Sequence, residues 1–366
     1  MKVYLDNNRA SLLDTQVLEA MQPIYTEHYA NPSALHSPAV AARVPILEAY
    51  EKIRASIHAK PEEEIISGSS ADALHCRLLI ATYLGTIITG QKNQIILSSS
   101  ESEAVLETAA YIASQGCRVT LLPLDSNGIV DLSLLKQVIT PKTALVSLAM
   151  VDSQTGAIMP IDEASQICAE YEVPLHSDTT HAIGKLPVDM QMLGLDYLTL
   201  STETMHGPSG TAVLVVKEGK ILPNLLLPPS NRADLVGLGK ALELAVDAQA
   251  FEMEDVRELR DTLEEAIREI PQSLIVTPWA LRTPHTVMVG FKGVQSEALV
   301  WELNRHGISV SAEKGHTLIA GIGQDRNYTH TLVSFALSRY TTEEEIDYTI
   351  KKLKEAVTLI REERIQ

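Results

Sequence analysis

The stretch "LTLSTETMHGPSG" (residues 198–210) places a hydroxyl, a carboxylate and an imidazole close together, at Ser201, Glu203 and His206. Those are the groups of nucleophilic hydrolysis, but no Gly-x-Ser-x-Gly elbow surrounds Ser201, so a triad is not expected. A second group, His176, Asp178 and His181, has the residue types of a metal site. Strand alternation turns His176 away from the turn that bears the other two, so no metal is expected there. "GLGKAL" (237–242) lacks a preceding strand and the full glycine spacing of a phosphate loop, and reads as helix interior. Cys76, Cys117 and Cys168 are odd in number and form no CxxC pair, which argues against a disulfide framework or thiolate metal site. Cys117 opens an apolar run and Cys168 lies in an amphipathic one; both read as buried core thiols.

The elements that must hold these residues follow from pattern. Between about residues 60 and 216, β-rich runs alternate with helical ones: "NQIILSS", "ESEAVLETAAYIASQG", "CRVTLLPL", "IVDLSLLKQVI", "TALVSLAM", "IDEASQICAEY", "VPLHSD" and "LDYLTLS". Such alternation predicts a mostly parallel sheet covered on both faces, with ligands beyond the carboxyl ends of its strands. Asp152, Ser153, Asp178 and Ser201 all fall at or just past such ends. After Pro228-Pro229, "ADLVGLGKALELAVDAQAFEMEDVRELRDTLEEAIREI" reads as one long helix or two joined ones, stopped at Pro271. The remainder gives "HTVMVGF", a helix around 295–306, "ISVS", "HTLIAGI", "TLVSFAL" and a last helix. That helix opens with a capping box from Thr342 to Glu345 and places Ile346, Ile350, Leu353, Val357 and Ile360 on one face. The expected organisation is a large α/β domain over 14–245, with a small α+β domain built from 1–13 and 246–366.

With 366 residues, 45% of them hydrophobic, the chain can bury a substantial core. Aromatics are only 4%, so that core must be aliphatic. A net charge of −17 with no basic stripe excludes nucleic acid as an expected partner. No apolar run approaches membrane length and "MKVYLDNN" is not a signal pattern, so no membrane association and a cytoplasmic location are expected.

Five stretches together resemble the cysteine desulfurases, pyridoxal-phosphate enzymes of the class V aminotransferase group. They are "YLDNNRASLLD" (4–14), "ANPSALHS" (30–37), "NGIVDLSLL" (127–135), "HSDTTHAIGKLPVD" (176–189) and "ALSRYTTEEEIDYTI" (336–350). The likeness runs in one order from near the first residue to near the last. It implies the aspartate-aminotransferase-like fold, fold type I of the pyridoxal-phosphate enzymes: a seven-stranded, mostly parallel sheet domain plus a small domain, in a homodimer with sites at the interface.

The resemblance also says which groups ought to be present. The lysine that forms the cofactor imine falls at Thr204, the histidine that stacks on the ring at Ser102, and the arginine that clamps the substrate carboxylate at Ser334. The histidine before the lysine has become Glu203, and an asparagine that contacts ring and substrate falls at Ser153. The partner-completing phosphate loop is bridged by "LLLPPSNRADLVGLG" (225–239). The sulfur-carrying cysteine is missing from "GISVSAEKGHTLIAG" (307–321), where Lys314 is the nearby basic group. Ser69, Ser70, Asp178, His181 and Ser201 remain as candidates for a vestigial cofactor cup, with Asp178 facing the pyridinium nitrogen. The joint loss implies a protein without working desulfurase chemistry and with no covalently held cofactor. It would act by binding, as a homodimer or as the partner of an active relative or sulfur acceptor. The alternative is an enzyme that uses non-covalent pyridoxal or pyridoxamine phosphate.

Overall fold

The computed structural model describes residues 1–220, 231–313 and 316–363. Seven strands form the main sheet: β2 (Glu64–Gly68), β3 (Gln94–Ser98), β4 (Arg118–Leu122), β5 (Thr143–Ala149), β6 (Leu175–Asp178), β7 (Tyr197–Ser201) and β8 (Ala212–Val216). Their order is β2-β8-β7-β6-β5-β3-β4. Pairings from β7 through β4 are parallel, whereas β8 runs antiparallel to both β7 and β2. "QIILS", "YLTLS" and "AVLVV" are buried at every position, as expected for strands covered on two faces.

Helices α1 (Thr15–Thr26), α2 (Ser37–Ser56), α3 (Ala71–Thr82), α4 (Glu103–Ser114), α5 (Leu132–Val138) and α6 (Ile161–Glu170) accompany this sheet. Ser70 caps α3, its Oγ accepting from Ala73 N, and Ser102 caps α4, accepting from Val105 N. The long helical run is a single helix, α7 (Arg232–Arg268). "GLGKAL" is in its interior, where Gly239 lets it approach α2: a Cβ there would lie 3.0 Å from the Ala49 backbone. The boundary expected at 245/246 falls inside α7.

A four-stranded antiparallel sheet holds β9 (Ser273–Ile275), β10 (Thr286–Phe291), β12 (Ser311–Ala312) and β13 (Leu332–Ala336). Strand β1 (Val3–Tyr4) pairs in parallel with β11 (Ile308–Ser309), and α8 (Ser296–Arg305), α9 (His316–Gly321) and α10 (Glu343–Glu363) are the remaining α-helices among the described residues. The run "HTLIAGI" is helical in α9, although it is as apolar as the strand runs beside it. The capping box of α10 forms in both directions, Thr342 N to Glu345 Oε2 at 3.0 Å and Glu345 N to Thr342 Oγ1 at 3.3 Å. Ile346, Leu353 and Val357 are buried in one hydrophobic cluster with Val3, Leu5, Phe291 and Phe335, and Ile350 and Ile360 pack against it. Cys117 and Cys168 are buried, Cys168 with its thiol pushed up to about 12 by burial.

Candidate functional site

One end of the main sheet gathers the polar residues. The parallel strands finish side by side, and the loops leaving them wall a cavity of about 230 Å³. Ser70 follows β2, Ser100, Glu101 and Ser102 follow β3, and Val151 and Ser153 follow β5. Asp178, Thr180 and His181 come from the end of β6, Glu203 from just past β7, and Asn8 and Arg9 from the N-terminal segment. The chain passes from β3 outward to β4 and then back to β5, which makes the β3/β5 gap the switch point where such sheets bind ligands.

The electrostatics of this cup are acidic. Asp72, Glu101, Asp178 and Glu203 face it against one arginine, Arg9. Burial pushes Asp178 up to about 6, against hydrogen bonds such as Thr180 N to Asp178 Oδ1 at 2.9 Å. Glu101 is raised well above the carboxylate range by burial and then by the Asp178 charge, although Ala149 N donates to its Oε1 at 3.1 Å. Glu203 is raised as well, first by burial, with Ser201 Oγ donating to its Oε1 at 3.5 Å. Arg9 is bound to Glu313 at 2.8 Å. The His181 ring is held neutral, its pKa lowered to about 3 by burial and then by the charges of Lys185 and Arg9, and its Nδ1 has no hydrogen-bond partner.

Several of the sequence candidates meet here and others do not. Ser70, Ser102, Ser153, Asp178, His181 and Glu203 line the cavity. Ser69 is exposed and outside its wall, and Ser201 is buried behind it, with its backbone N–H on Thr180 Oγ1. Thr204 faces away: its Oγ1 donates to Thr180 O at 3.2 Å and it lines a separate, smaller cavity. Ser334 is buried and donates to Glu313 Oε1 at 2.7 Å. Lys314 and residues 225–230 of the bridging segment lie outside the described residues. His206 turns its Nδ1 to Leu12 O at 2.8 Å and its ring edge to Tyr340, so it forms no relay with Ser201. His176 is in the core, hydrogen-bonded to Ser147 and Thr199, with its ring 4.3 Å from that of His75 and tilted by 49°. Among the described residues no His, Cys, Asp and Glu side chains gather as a metal site, and no helix is long and apolar enough to cross a membrane.

Sequence reading missed Asn8, Arg9, Asp72 and Glu101. Asp72 lies two positions after the candidate Ser70 and Glu101 opens the run "ESEAVLETAAYIASQG", so a count of charges beside the candidate serines finds the acidity. Asn8 and Arg9 reach the cup by a tertiary contact that no local pattern encodes.

Pyridoxal phosphate suits this cup poorly. Asp178 and His181 are in place, and Ser70 opens a helix whose amides could take an anion. Against that, Ser102 is spent as a helix cap, no amine occupies position 204, and three further carboxylates share the space with Asp178. A phosphate dianion would meet these acids with only Arg9, already paired to Glu313, as a cation on the cup wall.

Comparison with known proteins agrees with this architecture. The chain matches the family described as aminotransferase class-V over residues 3–227 and 229–349. It is 32% identical to a cysteine desulfurase IscS of Dictyoglomus turgidum over 98% of this chain and 95% of that one. It is 30% identical to a cysteine desulfurase of Sinorhizobium fredii over 99% of this chain and 98% of the relative. A solved structure titled a NifS-like protein superposes with a TM-score of 0.93 at 29% identity, covering 98% of this chain and all of that one. The fold class expected from sequence is therefore the observed one, and pyridoxal phosphate is the cofactor that family implies. From end to end, this chain belongs to the class-V aminotransferase family.

Proposed function

We propose that this cysteine desulfurase-like protein has lost pyridoxal-phosphate-dependent desulfurase chemistry and acts by binding, as a partner or scaffold in sulfur or iron–sulfur metabolism. The observation that supports this reading is Thr204. Its hydroxyl is hydrogen-bonded to Thr180 O, away from the cup, where an imine would need an amine facing it. The acid-lined cup and the burial of Ser334 against Glu313 point the same way, since the one cation lining the cup, Arg9, is already paired with Glu313. Packing residues are distinct from catalytic ones, so the surfaces that engage a second copy, an active relative or a sulfur acceptor outlast the chemistry.

A second reading keeps the retained Asp178 and His181 in use, as contacts for non-covalent pyridoxal or pyridoxamine phosphate with an amino-acid-like substrate. Absorbance spectra and thermal melts with each cofactor form separate the two, alongside an assay for sulfide released from cysteine. No spectral change, no stabilisation and no sulfide is the expected result. Stabilisation by pyridoxamine phosphate alone would establish the second reading, and sulfide release would overturn the first.

A further inference from the structure

Behind the wall of the cup is a second, smaller cavity, of about 20 Å³, lined by Lys185, Thr204, His206, Glu252, His285 and Arg339 among others. Its nitrogen groups are underused. Lys185 is 4% exposed, yet among the described residues its ammonium makes one hydrogen bond, to Asn8 Oδ1 at 3.3 Å, and no ion pair. His285 is also 4% exposed, and its buried Nδ1 has no partner. Arg339 gives Nη1 to Glu252 at 2.7 Å, while its buried Nε has no partner either. His206 is already committed through Nδ1 to Leu12 O.

The charges do not cancel. Glu252 balances Arg339, and the two imidazoles are kept neutral, His206 falling to about 4 and His285 well below its ordinary value. In each, burial is the first cause, and the Lys185 and Arg339 charges add to it. Burial lowers Lys185 to about 8, which leaves it mostly charged at neutral pH, and among the described residues that charge is buried without a counter-charge. A buried unpaired ammonium is costly enough that proteins pair it, hydrate it or neutralise it. A water would fit this space, which exceeds the 10–15 Å³ or so that one needs, but it would leave the charge uncompensated. A single-atom anion meets both requirements. Phosphate and sulfate, with five heavy atoms each, are too large.

We propose that this cavity binds one small monovalent anion, of the chloride class, between the Lys185 ammonium, the Arg339 Nε–H and the His285 imidazole N–H. The site is separate from the cofactor cup, although Asn8 belongs to both: it accepts from Lys185 and also lines the larger cavity. The proposal does not rest on the reading of the cup, and its test uses no cofactor.

The test is thermal melting of the full chain at fixed ionic strength, with sodium chloride replaced stepwise by sodium gluconate, whose anion cannot enter. Chloride raises the melting temperature saturably, by about 2 °C at a concentration tenfold above its dissociation constant. In Lys185→Met that increment disappears. Equal melts in the two salts for the unaltered protein would overturn the proposal, as would an undiminished chloride increment in the variant. Should the variant not fold, crystals of the unaltered protein grown in sodium bromide supply the answer by anomalous scattering. A bromide peak within hydrogen-bond reach of Lys185 Nζ supports the site, and a cavity without one sinks it.

Discussion

Ser334 Oγ donates to Glu313 Oε1 at 2.7 Å, and the other oxygen of that carboxylate holds Arg9 at 2.8 Å. The position that resembles the family's substrate-clamping arginine is thus filled by a serine serving a buried carboxylate. Burial raises Glu313, and the Ser334 hydrogen bond opposes that rise. Ser334→Ala leaves Oε1 buried without its donor and should lower stability by about 1–3 kcal/mol in urea unfolding. No change in the unfolding midpoint would mean that the hydroxyl is not needed there.

Asp178 gives a pH-dependent prediction. Its folded pKa of about 6 is above the unfolded value, so the native state holds this proton more tightly than the unfolded chain does. The ionised form therefore carries a cost that is absent below about pH 4 and complete above about pH 6. Asp178→Asn removes that cost. Relative to the unaltered protein, the variant should gain nothing near pH 4 and on the order of 1–2 kcal/mol at pH 7, allowing for solvent screening. Denaturation series at several pH values measure the difference, and a gain equal at both ends would falsify the assignment.

Restoring the amine alone should not restore an imine. Thr204→Lys leaves Glu203 on the cup and adds a cation to the cavity that already holds Lys185. We expect no borohydride-reducible adduct with pyridoxal phosphate, because position 204 is turned into that smaller cavity and away from the cup. Mass spectrometry of the reduced protein decides. An adduct would show that a lysine at position 204 reaches the cup after all.

The core contains a polar chain of its own. Ser147 Oγ lies 2.7 Å from His75 Nε2 and 2.6 Å from His176 Nδ1, and His176 Nε2 lies 3.1 Å from Thr199 Oγ1. Both imidazoles are held neutral by burial, and the donor and acceptor roles along the chain follow from which nitrogen of each ring carries its proton. Ser147→Ala strands two buried nitrogens and should cost about 3 kcal/mol, read from the shift in urea midpoint. The acidic cup, one layer away, should keep its pH response.

The fold was legible because its signals are local. The runs at 94–98 and 143–149, "QIILS" and "TALVSLA", have apolar centres, and the Thr342–Glu345 capping box forms as read. "HTLIAGI" was ambiguous for the opposite reason: a short apolar run has no period to distinguish strand from helix. At the cup, residues adjacent to strand ends were found, as with Asp178 and Ser153. Those delivered from far along the chain were not, because Lys185 and Asn8 meet across 177 positions and no spacing records that. Orientation was equally hidden. Nothing in "STETMHG" says that Glu203 faces the cup while Thr204 faces away, since that depends on how the turn packs against Thr180.

Helix α7 has a mechanical consequence. Leu238 and Leu242 belong to the cluster beneath the main sheet, while Val256, Leu263 and Ile267 belong to the cluster around the four-stranded sheet. One rod of 37 residues, about 55 Å long, is therefore an axle shared by both hydrophobic cores. Neither core can melt without fraying an element of the other, so heat should register as one calorimetric peak. A protease that cuts within α7 should release no fragment able to stand alone.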